Sequence, residues 1–207
     1  MKKNQDHLKK DKNILYTGFG DKGTTTLFDC KQTRISKSAL LIDALGTVDE
    51  LNAFLGIIKV YSSRDSITLK IGKKYFHYSD LIEKIQQNLF IIQAELGGSN
   101  LLIGKGELNK IENVINAIAE ILPPITSFTI SGGSDVSSSL DFARTLARKA
   151  ERRIIAVREE KSRIISMNTI SYLNRLSSIL FAMSRYANYI LSIPEKHPDY
   201  NKKNNKK

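Results

Sequence analysis

The sequence predicts an all-α domain of five helices packed as an antiparallel bundle. Two observations support this. Apolar residues recur at spacings of three and four along five segments, and glycine or proline follows several of those segments. The 207 residues suffice for one domain with a sizeable core. No apolar run approaches the ~20 residues that cross a bilayer, so no membrane partner is expected.

The helical pattern covers most of the chain. It predicts helices over residues 40–62, 79–96, 107–122, 135–160 and 167–193. Ser79 is expected to cap the second helix, and Ser134 or Asp135 the fourth. Residues that break helices follow three of the segments, namely Gly97, Pro123 and Pro194. The segments 14–37 and 63–77 are predicted to be irregular, apart from a short strand near residues 25–28.

The charge lies mostly at the ends of the chain. The domain is predicted to span residues 14–193, between basic disordered tails at 1–13 and 194–207. The formal net charge is +11, but residues 1–12 carry +3 and residues 196–207 carry +4, which leaves only about +4 between them. A single cysteine, Cys30, excludes an internal disulfide, and the basic N-terminus lacks the apolar segment of a secretion signal. A cytoplasmic location is expected.

A glycine-rich segment, YTGFGDKGTTT at residues 16–26, has the chemistry to bind a polyphosphate. Three glycines within six residues let backbone N–H groups turn toward an anion, Lys22 adds a positive charge, and three threonines add hydroxyls. The segment is not a Walker A loop, because Lys22 precedes Gly23 rather than following it. An ordinary flexible turn is the alternative interpretation.

A row of arginines marks the fourth predicted helix. Arg144, Arg148 and Arg152 are four residues apart and therefore share one face. Glu151 is placed to contact Arg148. Because like charges repel, an anion or carboxylates from a neighbouring element should compensate this ridge; a solvated surface is the alternative.

Polar residues also interrupt two other predicted helices. Asn174 and Arg175 stand within the apolar stretch YLNRLSSILF, where Asn174 needs either a helix neighbour or a ligand as its partner. Asp49 and Glu50 are either surface residues or partners of the arginine ridge. No directly bound metal is expected from the histidines, which lack ligand spacing: His7, His77 and His197.

Five segments in order, YTGFGDKGTT, GTVDELNAFLG, SGGS, ARTLARKAERR and YLNRLSSILF, resemble the propanediol-utilisation-type ATP:corrinoid adenosyltransferases. The resemblance runs from about Tyr16 to Ile190. It implies ferritin-like up-down packing, a homotrimer with active sites between subunits, and transfer of the 5′-deoxyadenosyl group of ATP to Co(I) of a reduced corrinoid. The implied products are adenosylcobalamin and triphosphate. The implied cofactors and substrates are ATP, Mg²⁺ and cob(I)alamin or cob(II)alamin, and the implied partners are a corrinoid reductase and a B12-dependent acceptor enzyme.

The resemblance also implies roles for individual residues. Phe128 corresponds to a phenylalanine that packs under the corrin ring and displaces the lower axial ligand. Asp49 and Arg144 correspond to a salt bridge across the subunit interface, and Mg²⁺ would accompany ATP near Glu151. The implied catalytic residues are Phe128, Arg148 and Lys22. The implied ATP contacts are Thr17, Gly18, Gly20, Asp21, Lys22, Gly23, Thr24, Lys37, Arg148, Glu151, Arg152 and Asn174.

The chain departs from the family pattern at a few positions, which are Gly18, Phe19, Ser131, Lys149 and Ser178. Two other functions are therefore considered. One is a corrinoid carrier of the same fold that does not turn over. The other is a nucleic-acid-binding protein that uses the arginine ridge and the lysine tails. The latter gives the glycine loop no role, so nucleic acid is not an expected partner.

Overall fold

The computed structural model describes residues 15–29 and 33–200, and most of this part is helical. The predictions for the 1–13 tail, His7 and Cys30 concern residues outside these ranges. The helices are α1 (Leu40–Arg64), α2 (Tyr78–Leu96), α3 (Lys105–Ile121), α4 (Asp135–Glu159) and α5 (Met167–Ile190). Two antiparallel pairs of short strands join β1 (Thr24–Thr25) to β2 (Ile35–Ser36) and β3 (Thr68–Ile71) to β4 (Lys74–His77).

The helices enclose one continuous apolar core. Helix α4 packs against α5 and α1, while α1 also contacts α2 and α3 contacts α5. The apolar residues of α4 that recur at spacings of three and four are all buried: Leu140, Ala143, Ala147, Ala150, Ile154 and Val157. Its three alanines allow the neighbouring helices to approach α4 closely. Within the described ranges, no helix combines the length and apolar character needed to cross a membrane.

The helix ends show which capping predictions were correct. Helix α2 begins before Ser79, with His77 at the N-cap position and no side-chain cap bond, so the Ser79 prediction was wrong. Ser134 caps α4, and its Oγ accepts a hydrogen bond from the Ser137 N–H at 3.1 Å. Helix α5 ends at Ile190 rather than residue 193, because Ser192 adopts a left-handed conformation with φ of 55°.

A buried carboxylate connects α2 to the start of α5. Glu95, in the last turn of α2, is only 4% exposed. Its Oε1 accepts the Ser166 N–H at 2.6 Å, and its Oε2 accepts the Thr169 hydroxyl. Ser166 is the N-cap of α5, so a full negative charge lies at the positive end of that helix.

The segment between α1 and α2 forms a hairpin, which corrects the prediction of an irregular 63–77. Strands β3 and β4 pair from Thr68 with His77 to Ile71 with Lys74, and Gly72 turns the chain with φ of 59°. The hairpin packs on the helices, because Leu69 is fully buried and the Tyr186 hydroxyl donates to the Thr68 carbonyl at 3.0 Å. The charged residues of this segment suggested a loop, and the hairpin that covers the helices was therefore not predicted.

The SGGS segment fixes the entry to α4. The Asn188 side chain on α5 donates to the Gly132 carbonyl at 2.9 Å and accepts the Ser134 N–H at 3.3 Å. Gly133 has φ of 126°, and a β-carbon there would lie 2.1 Å from the Asn188 Oδ1. This contact anchors one end of the connector between α3 and α4, which carries Phe128.

Candidate functional site

The glycine loop forms two successive turns on the surface. The Asp21 N–H donates to the Gly18 carbonyl at 3.2 Å, and the Gly23 N–H donates to the Gly20 carbonyl at 3.1 Å. Gly18 and Gly23 have φ of 68° and 73°, the left-handed region that glycine favours. The Asp21 and Lys22 side chains are exposed. Strand β1 follows the loop at Thr24–Thr25, slightly earlier and shorter than the predicted strand.

Lys37 reaches the loop from the end of β2. Its N–H donates to the Gly23 carbonyl at 2.9 Å. Its ammonium occupies space that any other residue at position 20 would need, because a β-carbon on Gly20 would lie 2.8 Å from the Lys37 Nζ. The structure thus brings Lys37 to the glycine loop. The two must lie together if they are to bind the same anion.

Arg34, which was not among the predicted site residues, also contacts the glycine loop. Its Nε donates to the Thr24 hydroxyl at 2.7 Å, and its Nη2 donates to the Thr24 carbonyl at 2.8 Å and to the Phe19 carbonyl. One guanidinium therefore holds both ends of the loop together. The sequence signal was a cation three residues before Lys37, on the same short segment.

The exit from the loop is tied to the rest of the chain. The Phe28 N–H donates to the Gly97 carbonyl at 3.1 Å. Asp29 forms a two-point salt bridge with Arg163, which lies between α4 and α5. These contacts join the loop to the end of α2 and to the α4–α5 connection.

Three of the predicted residues line one open cavity of about 350 Å³: Phe128, Arg144 and Arg148. The Phe128 ring is 79% exposed, although it is a large apolar group. The guanidinium carbon of Arg144 lies 6.0 Å from the centre of the Phe181 ring, which also lines the cavity. The cavity combines aromatic surface with positive charge, and Ser178 is part of its wall.

The arginine ridge is only partly compensated within one chain. Arg144 is 3.7 Å from Asp141, and its buried Nε has no hydrogen-bond partner. Arg148 and Arg152 are exposed, and among the described residues neither forms an ion pair. Glu151 was predicted to contact Arg148 but hydrogen bonds to Asn174 instead. Two cations of the ridge are therefore open to an anionic ligand.

Asn174 is exposed rather than at a buried edge, which corrects the sequence prediction. Its Nδ2 donates to the Glu151 Oε1 at 3.1 Å, and its Oδ1 accepts from the Arg175 Nη1 at 2.8 Å. Arg175 also pairs with Glu112 on α3 at 2.9 Å. A polar chain thus crosses α4, α5 and α3, and Asn174 has a helix neighbour as its partner.

Tyr172, two residues before Asn174, belongs to a second polar network. Its hydroxyl is buried and accepts a hydrogen bond from the Asn88 Nδ2 at 3.1 Å, and burial raises its pKa. The same Asn88 group donates to Glu107 at 3.2 Å. The pKa of Glu107 is lowered, first by its hydrogen bond from Lys110, while partial burial opposes the shift. This network stabilises the α2–α3–α5 contact, and its residues line a small cavity of about 60 Å³.

Asp49 and Glu50 do not contact the arginines of α4 within the described chain. Asp49 accepts a hydrogen bond from Gln93 at 3.1 Å, and Glu50 pairs with Lys149 at 2.8 Å. Arg153 of α4 instead forms a salt bridge with a carboxylate of α1, at 2.8 Å from Asp43. Asp49 and Arg144 are therefore not partners inside one chain.

The predicted site is thus only partly assembled in one chain. Phe128, Arg144 and Arg148 come together, as do Glu151 and Asn174, and Lys37 joins the glycine loop. No described residue of the loop lines the Phe128 cavity. Over residues 15–29 and 33–200, no cluster of three or more His, Cys, Asp or Glu side chains is arranged to hold a metal ion.

A helical domain with a cationic glycine loop and an aromatic, arginine-lined cavity fits a nucleotide-dependent transferase with a second, largely apolar substrate. The cobalamin adenosyltransferase family model matches residues 15–187. The chain therefore belongs to the cobalamin adenosyltransferase family, and the family predicted from the five motifs is confirmed.

Individual relatives agree with this assignment. The corrinoid adenosyltransferase PduO of Citrobacter freundii is 37% identical over 83% of this chain and 49% of its own length. The corrinoid adenosyltransferase of Mycobacterium leprae is 34% identical over 84% of this chain and 91% of its own length. The chain spans about half the length of the PduO proteins of Citrobacter freundii and Salmonella typhimurium.

Solved structures with the same fold come from a PduO-type ATP:corrinoid adenosyltransferase of Lactobacillus reuteri. A phenylalanine-to-histidine variant complexed with cobalamin and ATP has a TM-score of 0.77 and 27% identity, over 90% of this chain and 97% of that one. An arginine-to-lysine variant complexed with ATP has a TM-score of 0.76 and 28% identity, over 89% of this chain and 100% of that one.

Proposed function

We propose that this protein transfers the 5′-deoxyadenosyl group of ATP to Co(I) of a reduced corrinoid, giving adenosylcobalamin and triphosphate. The observation that carries this proposal is the cavity that Phe128 shares with Arg144 and Arg148, in a chain of the cobalamin adenosyltransferase family. The complexes of the Lactobacillus reuteri enzyme with cobalamin and ATP support the two substrates.

The glycine loop binds the phosphates of ATP. Its backbone N–H groups, Lys22 and Lys37 supply positive charge, and the hydroxyls of Thr17 and Thr24 supply further donors. The remaining ATP contacts come from α4 and α5, through Arg148, Arg152, Glu151 and Asn174. Triphosphate is the leaving group, so cations placed around it stabilise the charge that develops in the transition state.

Mg²⁺ accompanies ATP, and Glu151 is the carboxylate that would hold it. Mg²⁺ in nucleotide sites is usually held by one or two carboxylates together with phosphate and water oxygens. Glu151 suits this role, because it is half-buried and its Oε1 already accepts a hydrogen bond from Asn174. When bound, the ion would neutralise charge on the triphosphate.

Phe128 prepares the corrinoid. The Phe128 ring is 79% exposed and lines one cavity with Ile125 and Phe181, so these side chains together offer an apolar surface that a ligand can cover. Packed under the corrin ring, it excludes the lower axial ligand, and four-coordinate Co(II) then accepts an electron more readily. The electron pair of Co(I) forms the bond to C5′ of ATP, while the C5′–O bond breaks and its pair leaves with triphosphate. No proton moves in this step, so no general base is needed.

We further propose a homotrimer with up-down helix packing, in which neighbouring subunits complete each site. Phe142 on α4 is 53% exposed and packs edge-on against Phe54 of α1, with 5.0 Å between ring centres. An interface would cover this apolar surface. Asp49 and Arg144 are not partners within a chain, and the buried Arg144 Nε has no hydrogen-bond partner there, so we infer that this guanidinium pairs with a carboxylate of a second copy.

The corrinoid must be reduced before it reacts, so a reductase is a required partner. A B12-dependent acceptor enzyme is the natural recipient of the product. We place the reaction in the cytoplasm, which agrees with the low cysteine content of the sequence.

The deciding experiment mixes the purified protein with MgATP and chemically reduced cob(I)alamin. Formation of adenosylcobalamin is followed by absorbance, and triphosphate is measured separately. Arg148→Ala should abolish most of the product, whereas Arg158→Ala, an exposed arginine in the last turn of α4, should not. Binding of ATP and corrinoid without product would support the carrier alternative instead.

A further inference from the structure

The chain beyond α5 runs back along the connector that carries Phe128. We call residues 193–198 the C-terminal strap. The Ile130 N–H donates to the Lys196 carbonyl at 2.7 Å, and the His197 Nδ1 lies 2.9 Å from the Phe128 carbonyl oxygen. The strap belongs to the segment for which the sequence predicted a disordered tail from residue 194, and these contacts extend beyond the predicted end of the domain.

A buried arginine fixes the strap to the helices. Arg185 on α5 is only 9% exposed. Its Nε and Nη2 pair with the two carboxylate oxygens of Glu195 in the strap, and Nη2 also donates to the Pro123 carbonyl at 3.1 Å. The removal of one partner from a buried ion pair leaves an uncompensated charge, so this contact resists opening. It ties the strap to both α5 and the start of the connector.

Apart from the strap, few contacts fix the position of Phe128 in the connector. It contains no helix or strand between α3 and α4, and the Phe128 ring is too exposed for core packing to fix it. Asn188 holds the far end of the connector at Gly132 and Ser134. The hydrogen bond to the Phe128 carbonyl itself comes from His197.

A second cavity, of about 410 Å³, lies between the strap, the connector and α5. It shares two wall residues, Thr129 and Phe181, with the Phe128 cavity. The strap lines only the second cavity, but the shared Thr129 is the neighbour of Ile130, whose N–H the strap holds.

Resting on the proposed function, we infer that His197 is a positioning residue for Phe128. Through this contact the C-terminal strap sets the distance between the Phe128 ring and the corrin plane. Because a carbonyl oxygen only accepts, the Nδ1 of His197 must carry the hydrogen that it shares with Phe128. The Ser127 hydroxyl, 2.9 Å from the same Nδ1, is the other group within reach. His197 does not touch the corrinoid in this arrangement; it acts through the Phe128 backbone.

The test compares full-length His197→Ala and His197→Asn with the wild type. The Asn side chain can place an amide N–H near the position of the lost Nδ1–H. With MgATP and cob(II)alamin bound, the fraction of four-coordinate Co(II) is measured by magnetic circular dichroism. We expect His197→Ala to lower kcat from cob(II)alamin on the order of tenfold, with a matching loss of the four-coordinate signal and an unchanged KM for ATP. His197→Asn should recover much of both.

His77→Ala is the matched control, because His77 is exposed and makes no cap hydrogen bond through its side chain. Wild-type kcat and four-coordinate signal in His197→Ala would overturn the role of His197 while leaving adenosyl transfer intact. Equal losses in the Ala and Asn variants, with ATP affinity also reduced, would show a general structural role instead. A wild-type protein that makes no adenosylcobalamin even from cob(I)alamin would contradict the proposed function and this inference together.

Discussion

Asn174 on α5 donates a hydrogen bond to Glu151 on α4, with 3.1 Å between Nδ2 and Oε1. This bond orients the carboxylate that we assign to Mg²⁺ and ATP. Partners that orient metal-binding groups typically contribute 10- to 100-fold, so Asn174→Ala should raise the Mg²⁺ concentration for half-maximal activity about tenfold. Titration of Mg²⁺ at saturating corrinoid measures this effect. Asn113→Ala, at an exposed position on α3, should leave the titration unchanged.

Phe128 is the residue on which the corrinoid assignment depends. Phe128→Ala removes the apolar ring from the cavity, so we expect at least a tenfold loss of adenosylation from cob(II)alamin, an order-of-magnitude estimate for a displaced reacting group. ATP binding, measured by calorimetry, should be unchanged. Phe90→Ala on α2 tests whether any exposed phenylalanine has this effect. Full activity of Phe128→Ala would show that the lower ligand is displaced by another group.

Gly20 and Lys37 test the glycine loop. A β-carbon at position 20 would lie 2.8 Å from the Lys37 Nζ, so Gly20→Ala must push the ammonium away. We expect a several-fold higher KM for ATP with little change in Tm, since the group that moves is the end of a flexible side chain. Gly46→Ala on α1 is the control, because no atom lies within 4 Å of its added β-carbon. An unchanged KM would remove Lys37 from the ATP site.

Asp49 and Arg144 test the subunit interface. Arg144→Ala and Asp49→Ala should each weaken the proposed trimer, and activity should fall with it if neighbouring subunits complete each site as we propose. Sedimentation velocity at several protein concentrations measures the association. Arg153→Ala breaks a salt bridge within one chain, to Asp43, and should leave assembly intact. A stable, fully active trimer in both Asp49 and Arg144 variants would contradict the assignment.

Glu107 predicts a pH dependence of stability. Its pKa in the folded protein is lowered from 4.5, mainly by the hydrogen bond from Lys110. The stabilisation that it provides is therefore complete above its unfolded pKa and is lost as the pH falls through the lower folded value. Glu107→Gln should be less stable than wild type near pH 7, and this difference should shrink below about pH 4. Urea unfolding across this range measures it, with the exposed Glu83→Gln as control. Parallel curves at all pH values would contradict the prediction.

The helices could be predicted because their signal is local and repeated. Along α4, the apolar residues that recur at spacings of three and four, from Leu140 to Val157, are all buried. The hairpin at β3 and β4 escaped prediction because its three lysines suggested a solvated loop. Only one face of a hairpin has to be apolar, and here Leu69 supplies much of the buried surface.

The site was predictable where one helix carries the residues, and less so where contacts join distant segments. The arginine ridge follows from spacing alone. By contrast, the partner of Glu151 was misassigned to Arg148 on the same helix, because the choice depends on how α4 and α5 face each other. Arg34 and His197 were missed because each contacts a backbone carbonyl of a distant segment, and spacing along the chain does not predict such a contact.

The cap that Glu95 provides to α5 has a consequence for synthesis of the chain. Glu95 lies 71 residues before Ser166 and 74 before Thr169. A ribosome therefore releases the capping carboxylate well before the helix that it caps, and a domain generally folds as a unit. The start of α5 is thus specified by a side chain made some seventy residues earlier, at the end of the second helix, and α5 can be capped as soon as it is complete.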